Sequence, residues 1–377
     1  MTAPRGAILH LIDTGGPGGA ETIFAGLARY FNPRARSVAV IPSDKWLASE
    51  LRRVGVEPLI MPAHGTMELR YLGKLRALIR EHRVKLIQTH LLGSGVYGSL
   101  AGLTTGVPVV AVFHGPTDLR NPGRFASLKR RLLLRTAAAI VAVSHSTRQE
   151  LVTFGLPDAA LTQINNGIDT SEFVPGSNTA IRTGLQLRPT DVLIGAVGNI
   201  RAPKAYEVLL RAAAAVTDAR PNVHFAVVGQ EDNKLSPGLL ALRAELGLVS
   251  RFHFLGFVRS DRQLYNNFDV FVSSSRSEGL SLSFLEAMAT GRPIVATRSG
   301  GAEQAIVDRA SGLLVPVDAP EALAAALTTL VTDADLRSRL ALGARARCMA
   351  EFSLERMFSA YEALYERFAP GILKAGV

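Results

Sequence analysis

Short apolar runs rich in valine and isoleucine alternate along the whole chain with longer stretches in which apolar residues recur at helical spacing. The first half contains candidate strands at 7–12, 37–41, 85–89, 109–113 and 138–143. The pattern starts again in the second half, with candidate strands at 192–199, 224–229, 252–256, 269–274, 293–297 and 312–316. Such alternation predicts two α/β domains, each built on a parallel sheet with helices on both faces.

The stretch between the two series of strands lacks this periodicity. Residues 165–190 are rich in asparagine, glycine, proline and serine, which is typical of a linker between domains. A chain of 377 residues also exceeds the length that one hydrophobic core usually serves. Two domains are therefore the natural expectation.

Composition excludes several classes of protein. The chain has no run of about 18 apolar residues, and its first residues are too short and too polar-flanked for a signal peptide, so we expect a cytoplasmic protein. Cys348 is the only cysteine, which excludes an internal disulfide. The histidines show no spacing typical of metal ligands, so no metal site is expected.

Positive charge is concentrated in the first half of the chain. Residues 1–180 contain 20 Lys and Arg against 12 Asp and Glu (+8); subtracting these from the totals of 42 and 32 leaves 22 against 20 (+2) for the rest. Two clusters carry much of this charge: Arg124, Lys129, Arg130, Arg131 and Arg135 among leucines, and Arg70, Lys74, Arg76, Arg80, Arg83 and Lys85. Such clusters suit anionic membranes or acidic substrates, although a solvated helix face explains them as well. Nucleic acid is less favoured, because aromatic residues are only 6% and do not interleave with the basic ones.

Residues that follow strands are the first candidates for chemistry, because α/β sheets bind ligands beyond the carboxyl ends of their strands. After the first strand come Gly15, Gly16, Gly18 and Gly19. They would let the backbone approach a ligand closely, although a plain turn is the alternative, and they do not fit the dinucleotide fingerprint. His114 follows a later strand and could donate a hydrogen bond to a sugar hydroxyl or be a structural residue.

Two cations, Arg201 and Lys204, lie in the turn after the strand predicted at 192–199. Cations at a strand-to-helix turn suit a diphosphate, because they would neutralise its charge as the leaving group departs. Solvated surface cations are the alternative. The diphosphate interpretation is favoured because the turn lies at the edge where ligands are expected.

Two glutamates, Glu278 and Glu286, flank a turn formed by Gly279, Leu280 and Ser281. The turn is predicted to open a helix, whose first N–H groups and dipole attract phosphate. The two carboxylates could then bind hydroxyls of whatever the phosphate carries, which indicates a nucleotide sugar. An ordinary amphipathic helix with exposed glutamates is the alternative, but it leaves Glu278 unexplained.

Taken together, these motifs resemble the retaining glycosyltransferases of family 4, also called glycosyl transferases group 1. The resemblance covers most of the chain and includes GGPGGAE near the start, FHG at 113–115, NNGID at 165–169, SEGLSLSFLEAMATGRPIVAT, SGGAEQAI, DRASGLLVPVDAPEALAAAL and FSLERMFSAYEALYERF. It implies the GT-B architecture, in which two Rossmann-like, doubly wound domains face each other across a cleft.

The resemblance also implies roles for the donor-binding residues. Glu278 would face the transferred sugar, and Glu286 would hold the ribose hydroxyls of the nucleotide. The amides around Gly279, Leu280 and Ser281 would meet the phosphates.

The resemblance implies further roles for residues in the turn after the first strand of each half, and for His114. Arg201 and Lys204 would bind the diphosphate beside Asn199, with Gly18 and Gly19 closing on it, and His114 would lie near the reacting sugar. The chain departs from the family at Gly198-Asn199, where Gly-Arg is frequent, and at Lys204-Ala205, where Lys-Gly is frequent. The arginine's role therefore passes to Arg201 by inference.

The family pattern predicts an acceptor domain at 1–180, joined by a returning helix at 355–377, and a donor domain at 181–354. We expect a retaining hexosyl- or N-acetylhexosaminyltransferase that needs neither metal nor cofactor. It would move a sugar from a UDP- or GDP-sugar to a glycan or lipid-linked acceptor, in polysaccharide or glycolipid biosynthesis, on the inner face of the cytoplasmic membrane. The alternatives are an NAD(P)-dependent Rossmann oxidoreductase and a non-catalytic protein that binds glycan or membrane.

Overall fold

The computed structural model describes residues 6–63, 68–115, 125–259 and 261–373. The chain divides into two compact units. The first unit comprises Met1–Asn166 together with Glu355–Val377, and the second comprises Gly167–Leu354.

The first unit is built on a parallel sheet of seven strands in the order β3-β2-β1-β4-β5-β6-β7. Its strands are β1 (Ala7–Ile12), β2 (Arg36–Ile41), β3 (Pro58–Ile60), β4 (Val84–His90), β5 (Val109–Phe113), β6 (Ala137–Ala142) and β7 (Leu161–Gln163). Its helices are α1 (Gly19–Phe31), α2 (Trp46–Arg53), α3 (Leu69–Glu81), α4 (Leu92–Thr105), α5 (Ala126–Thr136) and α6 (His145–Thr153), with a 3₁₀ turn at Asp158–Ala160.

The second unit repeats the design with six parallel strands in the order β10-β9-β8-β11-β12-β13. Its strands are β8 (Val192–Val197), β9 (Val223–Val228), β10 (Phe252–Phe254), β11 (Val270–Ser273), β12 (Ile294–Thr297) and β13 (Leu313–Val315). Its helices are α7 (Ala180–Gly184), α8 (Tyr206–Ala219), α9 (Ser236–Glu245), α10 (Arg262–Tyr265), α11 (Leu282–Ala289), α12 (Gly301–Ala305), α13 (Pro320–Thr332) and α14 (Ala334–Glu351), and a 3₁₀ turn spans Ala202–Lys204.

The predicted α/β class and both parallel sheets are confirmed. Each predicted strand is present within two residues of its expected bounds. The sequence missed β3 and β7, which have three residues each and lie at the two edges of the first sheet. Central parallel strands are covered on both faces and form long apolar runs, as in β1 with every side chain buried, whereas short edge strands do not.

The segment at 165–190 is not a free linker. Ile168 and Phe173 are buried in the core of the second unit, and Ile168 pairs with Ser353 in a parallel bridge. The guanidinium of Arg345 donates to the carbonyl of Phe173. Because the chain packs on the second unit from the start of this segment, the boundary lies after Asn166 and not at 180.

The last helix, α15 (Leu354–Phe368), belongs to the first unit from Glu355 onward. Its Phe358 stacks on Tyr30 of α1 with ring centroids 3.9 Å apart. Its Glu362 accepts a hydrogen bond from Tyr30 at 2.5 Å and pairs with Arg34 at 2.7 Å. The end of the chain is thus attached to the first unit by aromatic packing and an ion pair. In the ranges that the structure describes, no helix is both long and apolar enough to cross a membrane.

Candidate active site

The turn after β8 places a lysine at the carboxyl edge of the second sheet. It runs through the 3₁₀ turn Ala202–Lys204 and ends at Ala205, which has a left-handed backbone (φ 50°). Ser274 donates from its hydroxyl to the carbonyl of Lys204 at 2.9 Å, which fixes the turn to the chain that follows β11. Ala205 is buried at the position where the sequence analysis expected a family glycine.

Lys204 and Glu278 meet at this edge. The Nζ of Lys204 lies 2.5 Å from Oε1 of Glu278, and the two side chains are 20% and 18% exposed. The hydroxyl of Ser275 donates to the same Oε1 at 2.9 Å. The structure therefore brings together two of the predicted site residues and shows that they form one partly buried ion pair.

The predicted helix after the Gly-Leu-Ser turn begins at Leu282, with Ser281 as its N-cap. The first N–H groups of such a helix have no partner within the helix, and its dipole makes this end partially positive. The hydroxyl of Ser283 donates to the carbonyl of Val197 at the end of β8, at 2.9 Å. A pocket of about 10 Å³, room for about one water molecule, lies beside Lys204. It is lined by apolar side chains such as Phe271 and Phe284 and by Tyr206, Ser273, Ser274, Ser275, Ser281 and Ser283. The first amides of α11 and the ammonium of Lys204 form a setting suited to phosphate oxygens, whereas Ser274, Ser275 and Ser283 donate their hydroxyl protons to protein groups.

A second glycine turn holds Glu278 in place. The amide of Glu278 donates to the carbonyl of Ser299 at 2.9 Å, and its carbonyl accepts from the amide of Gly301 at 3.1 Å. A Cβ on Gly301 would overlap the carbonyl oxygen of Gly279. Only glycine fits this close backbone approach, which gives the SGG motif a physical reason.

Glu286 is buried, with 6% of the residue exposed, on the fifth position of α11. Its Oε2 accepts a hydrogen bond from the hydroxyl of Tyr265, which closes α10. A buried carboxylate is costly unless hydrogen-bonded, so this hydroxyl helps to hold and orient it. The sequence analysis missed Tyr265, because nothing in its surroundings marks it as a site residue.

Asn199 and Arg201, which the sequence placed with Lys204, have different surroundings. Oδ1 of Asn199 accepts from the amide of Gln230 at 3.0 Å, so this side chain braces the loop after β9. Arg201 is exposed and caps the 3₁₀ turn through its backbone. The structure thus brings Lys204, and not Arg201, to Glu278.

Arg276 is a further residue that the sequence analysis did not single out. Its amide donates to the carbonyl of Pro203 at 2.8 Å, and its guanidinium pairs with Glu207 and Asp318 at 2.6 Å each. These exposed ion pairs contribute little stability, but they connect the Lys204 turn to the chain before Glu278. The sequence feature that could have indicated Arg276 is that it is a single arginine within the serine-rich run SSSRSEG.

Gly18 and Gly19 lie at the start of α1 in the first unit. Gly18 is the N-cap with extended backbone, and a Cβ there would overlap the carboxylate of Glu21, which is buried. Gly19 is the first residue of the helix. The carboxylate of Glu21 therefore lies against Gly18 and occupies the space that a side chain at this position would need.

Two histidines meet at the carboxyl ends of β4 and β5. Nδ1 of His90 lies 2.7 Å from Nε2 of His114, and the rings are stacked with centroids 4.9 Å apart. Burial lowers the pKa of His114 to about 3. Burial is also the main reason why the pKa of His90 lies well below its usual value, and the nearby rings of His114 and His10 lower it further. Both rings are therefore neutral at physiological pH, and one donates to the other. In the sequence His90 directly follows the candidate strand at 85–89, but no spacing links it to His114.

Comparison with known proteins gives the family. Residues 17–172 match the model described as "Glycosyltransferase Family 4", and residues 191–333 match "Glycosyl transferases group 1". The D-inositol 3-phosphate glycosyltransferase of Saccharomonospora viridis is 32% identical over 300 residues, which cover 74% of this chain and 69% of that protein. The D-inositol 3-phosphate glycosyltransferase of Corynebacterium jeikeium is 32% identical over 325 residues, which cover 80% of this chain and 77% of that protein. The chain belongs to glycosyltransferase family 4.

Solved structures agree on the fold of this glycosyltransferase. Anabaena HepE, solved with UDP and glucose, superposes with a TM-score of 0.85 at 23% identity, covering 96% of this chain and 100% of that one. A glycosyltransferase from Rickettsia africae superposes with a TM-score of 0.84 at 20% identity, and the match covers 97% of this chain and 98% of that one. The fold is therefore GT-B, as the sequence predicted, and family membership sets aside the oxidoreductase and non-catalytic alternatives.

Proposed function

We propose that this glycosyltransferase transfers a sugar, with retention of anomeric configuration, from a UDP- or GDP-sugar bound by the second unit. The observation that carries the proposal is the Lys204–Glu278 pair, 2.5 Å apart, beside the first turn of α11. A cation, a helix N-terminus and a carboxylate together suit a group that bears both phosphate and hydroxyls.

In this proposal the diphosphate leaves without help from a metal ion. Lys204 and the first amides of α11 would neutralise the charge that develops on the departing phosphate, with Arg201 supplying longer-range attraction from its exposed position. These groups would perform the task that a divalent cation performs in other transferases. Among the described residues, no three His, Cys, Asp or Glu side chains cluster as metal ligands.

The two glutamates would bind the hydroxyl groups on the two sides of the diphosphate. Glu286, held by Tyr265, would accept hydrogen bonds from the ribose hydroxyls, and Glu278 would accept from hydroxyls of the transferred sugar. Asn199 would shape the phosphate surroundings through its backbone, and Gly18 and Gly19 remain the proposed ligand-binding glycines of the first unit. His114 would contact the reacting sugar as a neutral ring, because its pKa is lowered to about 3.

Retention follows if the acceptor attacks from the face that the phosphate leaves. The bond between the anomeric carbon and the phosphate oxygen breaks, and a bond from the acceptor oxygen forms on the same face. The acceptor proton goes to the departing phosphate oxygen. The products are the glycosylated acceptor and the nucleoside diphosphate.

Related proteins support the donor and an anionic acceptor. HepE was solved in complex with UDP-glucose, and the curated relatives are named for an acceptor that carries a phosphate. Coverage of the relatives by this chain is partial, so the acceptor of this enzyme is proposed only as a class: a glycan or lipid-linked acceptor that bears negative charge.

The first unit would bind this acceptor at an anionic membrane surface, in polysaccharide or glycolipid biosynthesis. Helix α5 and the residue before it support this: Phe125 is 68% exposed and Leu128 is 56% exposed, next to the exposed cations Arg131 and Arg135. Exposed apolar side chains flanked by arginine suit a membrane interface. Arg124, which the sequence grouped with them, lies outside the described residues.

The test is a donor screen with product analysis. UDP- and GDP-sugars are incubated in EDTA with the enzyme and an excess of a phosphorylated acceptor that carries a free hydroxyl, and release of the nucleoside diphosphate is followed by chromatography. We expect one donor to be consumed, and proton NMR of the product to show the donor's anomeric configuration. Product of the opposite configuration, or turnover only after metal is added, would contradict the proposal.

A further inference from the structure

A basic cavity lies at the opposite end of the first sheet from the glycine loop and His114. Its volume is about 550 Å³, within the usual range of ligand pockets. It is lined by the end of α3, the start of β4, the end of α4 and the residues before β5: Arg76, Ile79, Arg80, Arg83, Val84, Lys85, Thr104, Thr105, Gly106, Val107 and Pro108.

The cavity is separate from the pair formed by His90 and His114 in the same unit. It borders Val84, the first residue of β4, whereas His90 closes that strand at the other end. Seven residues of strand at about 3.3 Å each put roughly 20 Å between the two ends. A ligand in the cavity would not reach the groups that act on the reacting sugar.

The lining residues carry four full positive charges. Arg76, Arg80, Arg83 and Lys85 are all exposed. Of the residues that the structure describes, no Asp or Glu lines the cavity, and Glu81 at the end of α3 is not among the lining residues.

Two helix ends at the cavity oppose this positive charge. Helices α3 and α4 both end at the cavity, and a helix C-terminus carries roughly −0.5 elementary charge. Two such ends subtract about 1 from the four cations, which leaves roughly +3. The cations outweigh the helix dipoles, and the cavity attracts anions.

The backbone of Arg83 adds an independent observation. It follows the C-cap His82 and has a left-handed conformation (φ 52°), where glycine is the favoured residue. An arginine here costs stability, yet it adds a guanidinium to the cavity. The cost is explained if that guanidinium has a function.

We propose that this cavity is a second anion-binding site, specific for a phosphate-bearing ligand with several negative charges, either a soluble polyphosphate or the headgroup of an anionic phospholipid. Three guanidinium groups and an ammonium in a concave setting match clustered phosphate oxygens. The site goes beyond the proposed transfer reaction and does not depend on it.

Titration calorimetry of the full chain with inorganic tripolyphosphate tests the site. Salt of about 0.15 M suppresses diffuse attraction. Saturating UDP and the Lys204→Ala variant keep the donor site from being mistaken for the cavity. We expect tripolyphosphate to bind under both conditions, and the Arg80→Ala/Lys85→Ala variant to weaken binding about tenfold or more. Arg339→Ala, which removes an exposed cation of the second unit, should bind as the wild type does.

Arg83→Gly gives a signature that misfolding cannot imitate. Glycine relieves the left-handed backbone, so the melting temperature should be unchanged or higher, while tripolyphosphate binding weakens. Sedimentation with phosphatidylglycerol vesicles identifies the source. Loss of vesicle binding in the same variants assigns a lipid headgroup, and unchanged vesicle behaviour assigns a soluble ligand. If the cavity variants bind tripolyphosphate as the wild type does, or if Arg339→Ala weakens it equally, the proposal is wrong.

Discussion

The ammonium of Lys204 and the carboxylate of Glu278 lie 2.5 Å apart and form a partly buried ion pair between the turn after β8 and the chain after β11. The pair joins two elements that are distant in sequence. It therefore couples the position of the proposed phosphate ligand to that of the proposed sugar ligand.

This pair should be energetically coupled. Lys204→Ala leaves a partly buried carboxylate without its cation, and we expect the free energy of unfolding to fall by about 1–3 kcal/mol. Combining it with Glu278→Gln should cost less than the sum of the two single changes, with a coupling of about 1–2 kcal/mol in chemical denaturation. The exposed pair Arg298–Asp308, joined by one contact at 3.3 Å, is the control and should show no measurable coupling. Strict additivity at Lys204 and Glu278 would mean that their contact has no energetic weight.

Tyr265 should act through Glu286. Tyr265→Phe keeps the ring in the core and removes only the hydroxyl that donates to the carboxylate. We expect about tenfold weaker binding of the nucleoside diphosphate, about 1.4 kcal/mol, with kcat nearly unchanged. Tyr97→Phe, which removes a hydroxyl that accepts from the amide of Glu68 in the first unit, should leave nucleotide binding unaltered. An equal effect of both variants would show that the loss is general.

Gly301 should be intolerant of any side chain. Gly301→Ala would drive a Cβ into the carbonyl of Gly279, so the turn that holds Glu278 must move. We expect a loss of about 2–4 kcal/mol of stability together with loss of nucleotide binding. Gly238→Ala in α9, where a Cβ meets nothing within 4 Å, is the control and should be neutral or slightly stabilising. Wild-type melting and binding for Gly301→Ala would refute the close approach.

Two buried histidines, His10 and His90, and the partly buried His114 should make the protein less stable on mild acidification. Burial lowers the pKa of His10 to about 4 and that of His114 to about 3, and the pKa of His90 is also lowered. In the unfolded chain each histidine titrates near 6.5, so below that pH the unfolded chain binds more protons and is favoured. Between pH 7 and 5.5 each histidine should contribute about 1 kcal/mol of lost stability, or about 3–4 kcal/mol for the three together.

Denaturant titrations at the two pH values measure this loss. His114→Asn should reduce it by about 1 kcal/mol. A wild-type protein whose stability does not change between pH 7 and 5.5 would show that these rings are not held neutral.

The inner strands of the first sheet could be predicted from the sequence, whereas its two short edge strands could not. The inner strands, such as β1 and β5, are buried on both faces and stand out as continuous apolar runs. Strands β3 and β7 have three residues each at the sheet edges, where the partner strand and not the local sequence decides pairing. The segment from Ile168 onward has the composition of a linker, yet its two buried apolar side chains attach it to the second unit.

For the site, residues at strand ends could be predicted from the sequence, but the partners of their side chains could not. The sequence placed Lys204 and Glu278 at the same edge because parallel strands end there together, without showing that they touch. The hydrogen bond from Tyr265 to Glu286 and the contact between His90 and His114 depend on tertiary packing, which no spacing in the chain reports. Asn199 shows the converse, because its position fitted a ligand role while its side chain braces the neighbouring loop.

Titration calorimetry with UDP and GDP in EDTA shows whether Lys204 and the start of α11 form a metal-independent site for a nucleoside diphosphate. We expect one of the two nucleotides to bind the wild-type protein. Lys204→Ala should weaken binding about tenfold or more, while Arg339→Ala leaves it unchanged. Absence of binding by both nucleotides, binding that requires a divalent metal, or equal affinity in the Lys204→Ala variant would contradict the proposed site.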